Sequence, residues 1–241
     1  MVRVQMMRWA GPALLAPAVL AASPAIAQSY QCRAPERVSV PRIARDGPVR
    51  DTRVTGYTLA LSWSPEFCRL REDQPAHARQ CSGRGGRFGF IVHGLWPEGA
   101  QGRWPQWCPT RERPAPRDVA RNLCMTPSAR LLAKEWAKHG SCMVRRPATY
   151  YTIIRILYSS LRWPDFDRIS REDDLTAGRI RTTFAEANPY WERQHIGLKV
   201  NERGWLEEMR LCYGLDYMPT RCDPRRYGPK DGTPVKIWRG L

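Results

Sequence analysis

Two short segments carry the side chains best suited to chemistry. Residues 90–97 read FIVHGLWP and residues 131–142 read LLAKEWAKHGSC. The first places an imidazole, His93, directly before Gly94 and three residues from an indole, Trp96. An imidazole titrates near neutral pH, so it can take or give a proton there. A glycine beside it lets a ligand approach closely. An indole offers a flat face on which a base can stack for ~1–3 kcal/mol. In the second segment Glu135, Lys138 and His139 are spaced i, i+3 and i+4, which makes them neighbours on one helix face. An acid, a cation and a second imidazole presented together suit proton transfer beside an anion. Each segment alone also has an ordinary explanation: a hydrogen-bonded core histidine with a packed indole, and a solvated helix face with one weak Glu–Lys pair.

The elements that must position these groups follow from periodicity. Tyr57, Leu59, Leu61 and Trp63 alternate with Thr58, Ala60 and Ser62, a strand that Pro65 ends. Phe88–His93 reads as a second strand, with His93 at its end before Gly94. Ser128–Gly140 is the clearest helix, capped by Ser128 and stopped by Gly140, with Leu132, Ala133 and Trp136 on its core arc. Residues 149–161 and about 173–187 read as helices, the latter stopped by Pro189. Leu198–Val200, Trp205–Cys212 and Val235–Trp238 read as later strands. Residues 69–87 read as a loop, 98–127 as mostly loop, and 28–55 as a loosely attached N-terminal segment that Cys32 could pin. No internal repeat is present, and strands and helices mix without regular alternation, so one α+β domain is expected over 56–241.

The first 27 residues stand apart. Arg3 and Arg8 precede a short apolar run over 9–22, and Ala25-Ile26-Ala27 is a small-x-small cleavage site. This is the pattern of a signal peptide, with an exported, periplasmic or secreted mature chain starting at Gln28. The run is too short and too interrupted by Gly11, Pro12 and Pro17 to span a membrane. All eight cysteines lie after this point, and in an oxidising compartment an even number implies disulfides. No C-x₂₋₄-C pair occurs to suggest zinc. Eight cysteines alone leave on the order of a hundred connectivities open. The formal net charge is +16, and loss of Arg3 and Arg8 leaves 16 − 2 = +14. Arginine outnumbers lysine, and its planar fork suits phosphate. A polyanionic partner fits this charge, as does an ordinary solvated basic surface.

Taken together, the two segments resemble the paired signatures of the ribonuclease T2 family, F-x-V-H-G-L-W-P and E-W-x-K-H-G-x-C. The first is matched in full and the second at Glu135, Trp136, Lys138, His139, Gly140 and Cys142. The resemblance extends to WSPEFC at 63–68 and to Cys212 and Cys222, covering most of the chain from about residue 56. It implies a disulfide-stabilised α+β fold in which helices pack on a central, mainly antiparallel sheet. It also implies a monomeric endoribonuclease acting on single-stranded RNA without a metal or other cofactor. In that scheme His139 is the general base that takes the 2′-OH proton and His93 the general acid. Glu135 and Lys138 stabilise the phosphorane-like transition state, and 2′,3′-cyclic phosphates open to 3′-phosphates. Trp96 would be the stacking platform. Glu98 and the RWPQW stretch at 103–107 are near enough in sequence to line a base pocket or to be ordinary loop packing. The resemblance, with sequence proximity, also implies the pairs Cys68–Cys81, Cys212–Cys222, Cys108–Cys142 and Cys32–Cys124.

One position departs from the pattern. Many family members carry a histidine before the glutamate, and here Lys134 stands there, about 40° around the helix from Lys138. A phosphate contact from Lys134 is the corresponding expectation. His77 and His195 match no signature and receive no role. Two rival readings remain. An inactive RNA-binding protein is disfavoured because His93, Glu135, Lys138 and His139 are all present. A metal-dependent hydrolase is disfavoured because the signatures lack a second carboxylate.

Overall fold

The computed structural model describes residues 29–239. The expected leader over 1–27 therefore lies outside the described residues. In chain order the elements are β1 (Ser29–Tyr30), β2 (Val54–Trp63), α1 (Ser64–Cys68), α2 (Ala78–Cys81), β3 (Arg87–Phe88), β4 (Phe90–Gly99), α3 (Pro116–Ala120) and α4 (Ala129–Lys138). They continue with α5 (Pro147–Ser159), α6 (Phe166–Ile169), α7 (Ala177–Ala187), β5 (Ile196–Val200), β6 (Leu206–Tyr213) and α8 (Pro224–Tyr227). β4, β2, β6 and β5 form, in that order, a four-stranded sheet in which every pairing is antiparallel. The architecture is α+β, with α5 and α7 adding their buried residues to the sheet's core.

Strand register sorts the side chains of β2 into two sets. Leu59 and Leu61 stand opposite Leu95 and Val92 on one side and Leu211 and Met209 on the other. This apolar face joins Tyr150, Ile154, Ile180 and Phe184 in the core. The alternate residues Gly56, Thr58, Ala60 and Ser62 share the other face with Trp96 and Glu98 of β4 and with Glu208 and Arg210 of β6. All four are small. They form a floor over which the longer side chains of the two neighbouring strands meet.

β4 is an edge strand, and its outer backbone groups find partners other than a further strand. Tyr150 of α5 accepts from the Leu95 N–H and donates to the Leu95 carbonyl, both at 3.1 Å. Tyr158 donates to the Phe90 carbonyl at 2.8 Å. The Val92 N–H donates to the Met125 carbonyl, and Thr126 donates to the Val92 carbonyl. α5 reaches α4 in the same way, through Tyr151 and the Leu132 carbonyl at 2.8 Å.

Several sequence expectations need correction. β4 does not stop at His93 but runs to Gly99. Residues 69–87 are not all loop but hold α2, 98–127 are mostly loop as expected apart from the end of β4 and the short α3, and the span 173–187 resolves into helix only from Ala177. Residues 235–238 form no strand; Trp205 and Lys236 make an isolated bridge there. The segment before β2 is not loosely attached. β1 pairs with β3, Cys32 is bonded to Cys124, Arg50 and Gln106 exchange backbone hydrogen bonds, and Val38 and Val40 pack on the core. Polar composition hid these ties because two of them run through the backbone and one through a distant cysteine. The four disulfides are Cys32–Cys124, Cys68–Cys81, Cys108–Cys142 and Cys212–Cys222. These are the pairs that the resemblance implied. Among the described residues no helix is long and apolar enough to cross a membrane.

Candidate active site

His93 owes its position to a β-bulge. Ala60 of β2 pairs with Gly94 and Leu61 with Val92, which leaves His93 as the extra residue. Bulges re-aim a side chain without breaking the sheet. Here the imidazole turns toward the small-residue floor, with its side chain 36% exposed. Nδ1 donates to Glu208 Oε2 at 2.9 Å, and Arg210 Nε holds the other Glu208 oxygen at 2.8 Å. Nε2 is thereby directed away from Glu208, 3.8 Å from Glu135 Oε1. Glycine at 94 is a steric requirement. A Cβ there would collide with Glu135 Oε2 and lie 2.8 Å from Trp96 Nε1. The missing side chain is what lets α4 approach the strand.

α4 begins at the Ser128 cap, whose hydroxyl accepts from the Leu131 N–H at 3.2 Å. Leu132, Ala133 and Trp136 are buried as expected. The opposite arc is not a solvated face, because Glu135 is 4% and His139 7% exposed. That arc turns toward β4: Trp96 Nε1 donates to Glu135 Oε2 at 2.8 Å. His139 closes the helix, and its buried Nδ1 has no hydrogen-bond partner among the described residues. The Trp96 ring lies 5.1 Å from the His93 ring and 5.8 Å from the His139 ring. One indole therefore touches both imidazoles while its N–H holds the carboxylate behind them.

The two imidazoles are biased in opposite directions. Burial works against a charged His93, but the Glu208 hydrogen bond and the charges of Glu135 and Glu208 outweigh it and raise its pKa above the ordinary value. For His139, burial comes first, followed by the charges of Lys138, His93 and Arg226, and together they lower its pKa to about 3. Burial raises Glu135, against the opposing pull of His93 and Trp96. Burial also favours a neutral Glu208, but His93 and Arg210 outweigh it and lower that pKa.

The cations of α4 are engaged. Lys134 Nζ lies 2.7 Å and Lys138 Nζ 3.2 Å from the carboxylate of Asp46. The Lys134 hydrogen bond, with smaller help from Lys138, lowers Asp46 to about 2. Glu98 accepts from the buried Thr58 hydroxyl at 2.6 Å and from Arg226 at 2.7 and 3.2 Å. The stretch at 103–107 divides. Trp104 faces the Arg226 guanidinium at 5.6 Å, whereas Trp107 is buried and lies 5.9 Å from Lys138 Nζ. A cleft of about 560 Å³ opens beside His93, with Arg71, Arg130, Lys134, Lys199 and Arg203 on its walls. His77 packs edge-on to Phe67 at this cleft, and His195 caps a short turn elsewhere. No group of three or more His, Cys, Asp or Glu among the described residues is arranged to hold a metal ion.

Sequence reasoning missed Glu208, Arg210, Arg226 and Asp46. Glu208 lies 115 residues from its partner His93, and Asp46 lies 92 residues from Lys138. Only strand register and the path of the N-terminal segment bring them in, and neither leaves a local motif.

A sequence profile of the ribonuclease T2 family matches residues 55–166. The chain is 30% identical over 179 residues to a "Probable ribonuclease" of Haemophilus influenzae, covering 70% of this chain and 61% of that protein. It thus spans about three fifths of that relative's length. An RNase-related protein from Calystegia sepium shares the fold with a TM-score of 0.61 at 21% identity, over 77% of this chain and 97% of the other. The structure of RNase NT in complex with 5′-AMP gives a TM-score of 0.56 at 18% identity, over 77% and 98% of the two chains.

Proposed function

We propose that this chain, which matches the ribonuclease T2 family over residues 55–166 and resembles a probable ribonuclease, cleaves single-stranded RNA by transphosphorylation, with His139 as general base and His93 as general acid. The observation that carries this reading is the Trp96 indole in contact with both imidazoles over the small-residue floor. His139, held neutral, accepts the 2′-OH proton. His93, held protonated through Glu208, delivers a proton from Nε2 to the departing 5′-oxygen. Glu135 and Lys138 face the phosphoryl group as its oxygens gain charge. The product is a 2′,3′-cyclic phosphate, later opened to a 3′-phosphate. The RNA runs along the cleft beside His93, whose five cations outnumber the carboxylates of Glu66, Glu207 and Glu208. The four disulfides and the apolar leader support an exported, periplasmic or secreted enzyme.

The test is incubation of a short RNA with the folded protein in excess EDTA. Cleavage to cyclic-phosphate ends is expected, with the matching DNA left intact for want of a 2′-OH. Activity that vanishes in EDTA and returns with a divalent cation would favour a metal-dependent hydrolase. A folded protein that binds RNA but cleaves it under neither condition would favour the binder.

Lys134 and Lys138 contribute to phosphate binding in this reading, and Asp46 stands where that phosphate must come. Held down to about 2 by Lys134 and Lys138, its carboxyl is charged at neutral pH. Substrate therefore displaces Asp46 by competition, not after its protonation. Asp46→Asn should lower KM for a short RNA about 2- to 5-fold, the scale of one exposed ion pair. Steady-state kinetics at pH 7 reads this directly. An unchanged KM would make the Asp46 contact purely structural.

A further inference from the structure

Glu98 falls short of a free base-reading carboxylate. Its Oε1 accepts from Thr58 and from Arg226 Nε, and its Oε2 from Arg226 Nη2. Thr58 is fully buried, so this end of the assembly is fixed. What the carboxylate does instead is aim a guanidinium. Arg226 comes from α8, just after the Cys212–Cys222 disulfide. Its side chain is 18% exposed, and its guanidinium carbon sits 5.5 Å from the Trp96 ring and 5.6 Å from the Trp104 ring. A guanidinium has five N–H donors. Glu98 takes two, and the described residues offer Arg226 no other acceptor. Three donors therefore remain for a ligand beside the indole that touches both catalytic imidazoles.

A donor-only group selects bases by their acceptors. Guanine presents two adjacent acceptors, O6 and N7, which match the arginine fork. Adenine places an amino donor where guanine has O6, so it would set donor against donor. Cytosine and uracil lack the N7 acceptor. We propose that Arg226, aimed by Glu98 and Thr58, reads the base stacked at Trp96 and selects guanine.

This rests on the RNA-cleaving reading for its substrate class, so the test measures binding apart from cleavage. The four nucleoside 3′-monophosphates are titrated calorimetrically into the wild-type protein and Arg226→Lys. Lysine keeps the positive charge near His139 and Glu98 but loses the fork. Tightest wild-type binding is expected for 3′-GMP. Arg226→Lys should weaken 3′-GMP about 5- to 100-fold, the scale of one bidentate base contact. The other three should move far less, with the melting temperature showing that the variant is folded. Equal binding of all four nucleotides by the wild type, or an equal loss for all four in the variant, would overturn the proposal. In parallel, GpU, ApU, CpU and UpU are offered as cleavage substrates. Guanine-selective binding without cleavage of any would sink the ribonuclease reading while leaving the Arg226 assignment intact. Cleavage of all four without selective binding would do the reverse.

Discussion

Replacing either His93 or His139 with alanine is expected to cut turnover on RNA by at least ~10²-fold, the usual contribution of a positioned general acid or base. The two losses should also differ in their pH signatures. In the proposed mechanism the active form has His139 neutral and His93 protonated. Activity therefore rises with pH through the His139 pKa, placed at about 3. It falls as pH rises through the His93 pKa, which lies above the ordinary histidine value. Between these limits the profile should be flat. Glu208→Gln removes the charged partner of His93 Nδ1 while keeping a hydrogen-bonding side chain, so the descending limb should move to lower pH. A purely structural Glu208 would change the height of the profile and leave its limbs in place. Single-turnover rates on one short RNA from pH 3 to about pH 9, with folding checked by near-UV circular dichroism, decide both points. Near wild-type turnover by a folded His93→Ala or His139→Ala would reject the acid–base assignment.

The geometry of the candidate site was legible in the sequence where a single element carries it. The helix spacing of Glu135, Lys138 and His139 placed all three on one arc, and Ser128 marked where that helix starts. The alternation over 57–63 separated Leu59 and Leu61 from Thr58, Ala60 and Ser62, and these became the core face and the site floor. Where two elements had to meet, local pattern gave no guide. Gly94 reads as a strand terminator, and the bulge that carries β4 onward is visible only in its register against β2. The polar arc of α4 reads as solvated because nothing local says that Trp96 will bury Glu135. Glu98 has the composition of a base reader, yet a residue 128 positions later takes up its carboxylate.

Arg181 is the strongest case of a residue that composition misreads, and its replacement should be the most damaging to stability. On α7 it looks like one more surface arginine, but it is 0% exposed. Nε donates to the Ile196 carbonyl at 2.8 Å and Nη1 to Asp231 at 2.7 Å. Nη2 donates to the carbonyls of Tyr227 and Pro229 at 2.7 and 2.9 Å. Its guanidinium also lies 3.7 Å from the Tyr227 ring centre. One side chain thus fastens the start of β5 and the end of α8 to α7. Arg181→Met fills much of the volume but takes the donor from three carbonyls, while Asp231 keeps Tyr227 and Arg193 as partners. Leaving a buried acceptor without its donor typically costs ~1–3 kcal/mol, and here three carbonyls lose theirs. That is a large fraction of the ~5–15 kcal/mol that stabilises an ordinary domain. Arg179, two residues before Arg181 and so on the other side of α7, pairs with Glu172 near the surface and is the control. Arg179→Met should cost no more than ~1 kcal/mol. Urea unfolding of the three proteins gives the comparison, and equal midpoints for Arg181→Met and Arg179→Met would refute the anchoring role. The Tyr227 carbonyl that Arg181 holds is one residue from Arg226. Loosening it should therefore also blunt the preference for 3′-GMP in whatever Arg181→Met protein remains folded.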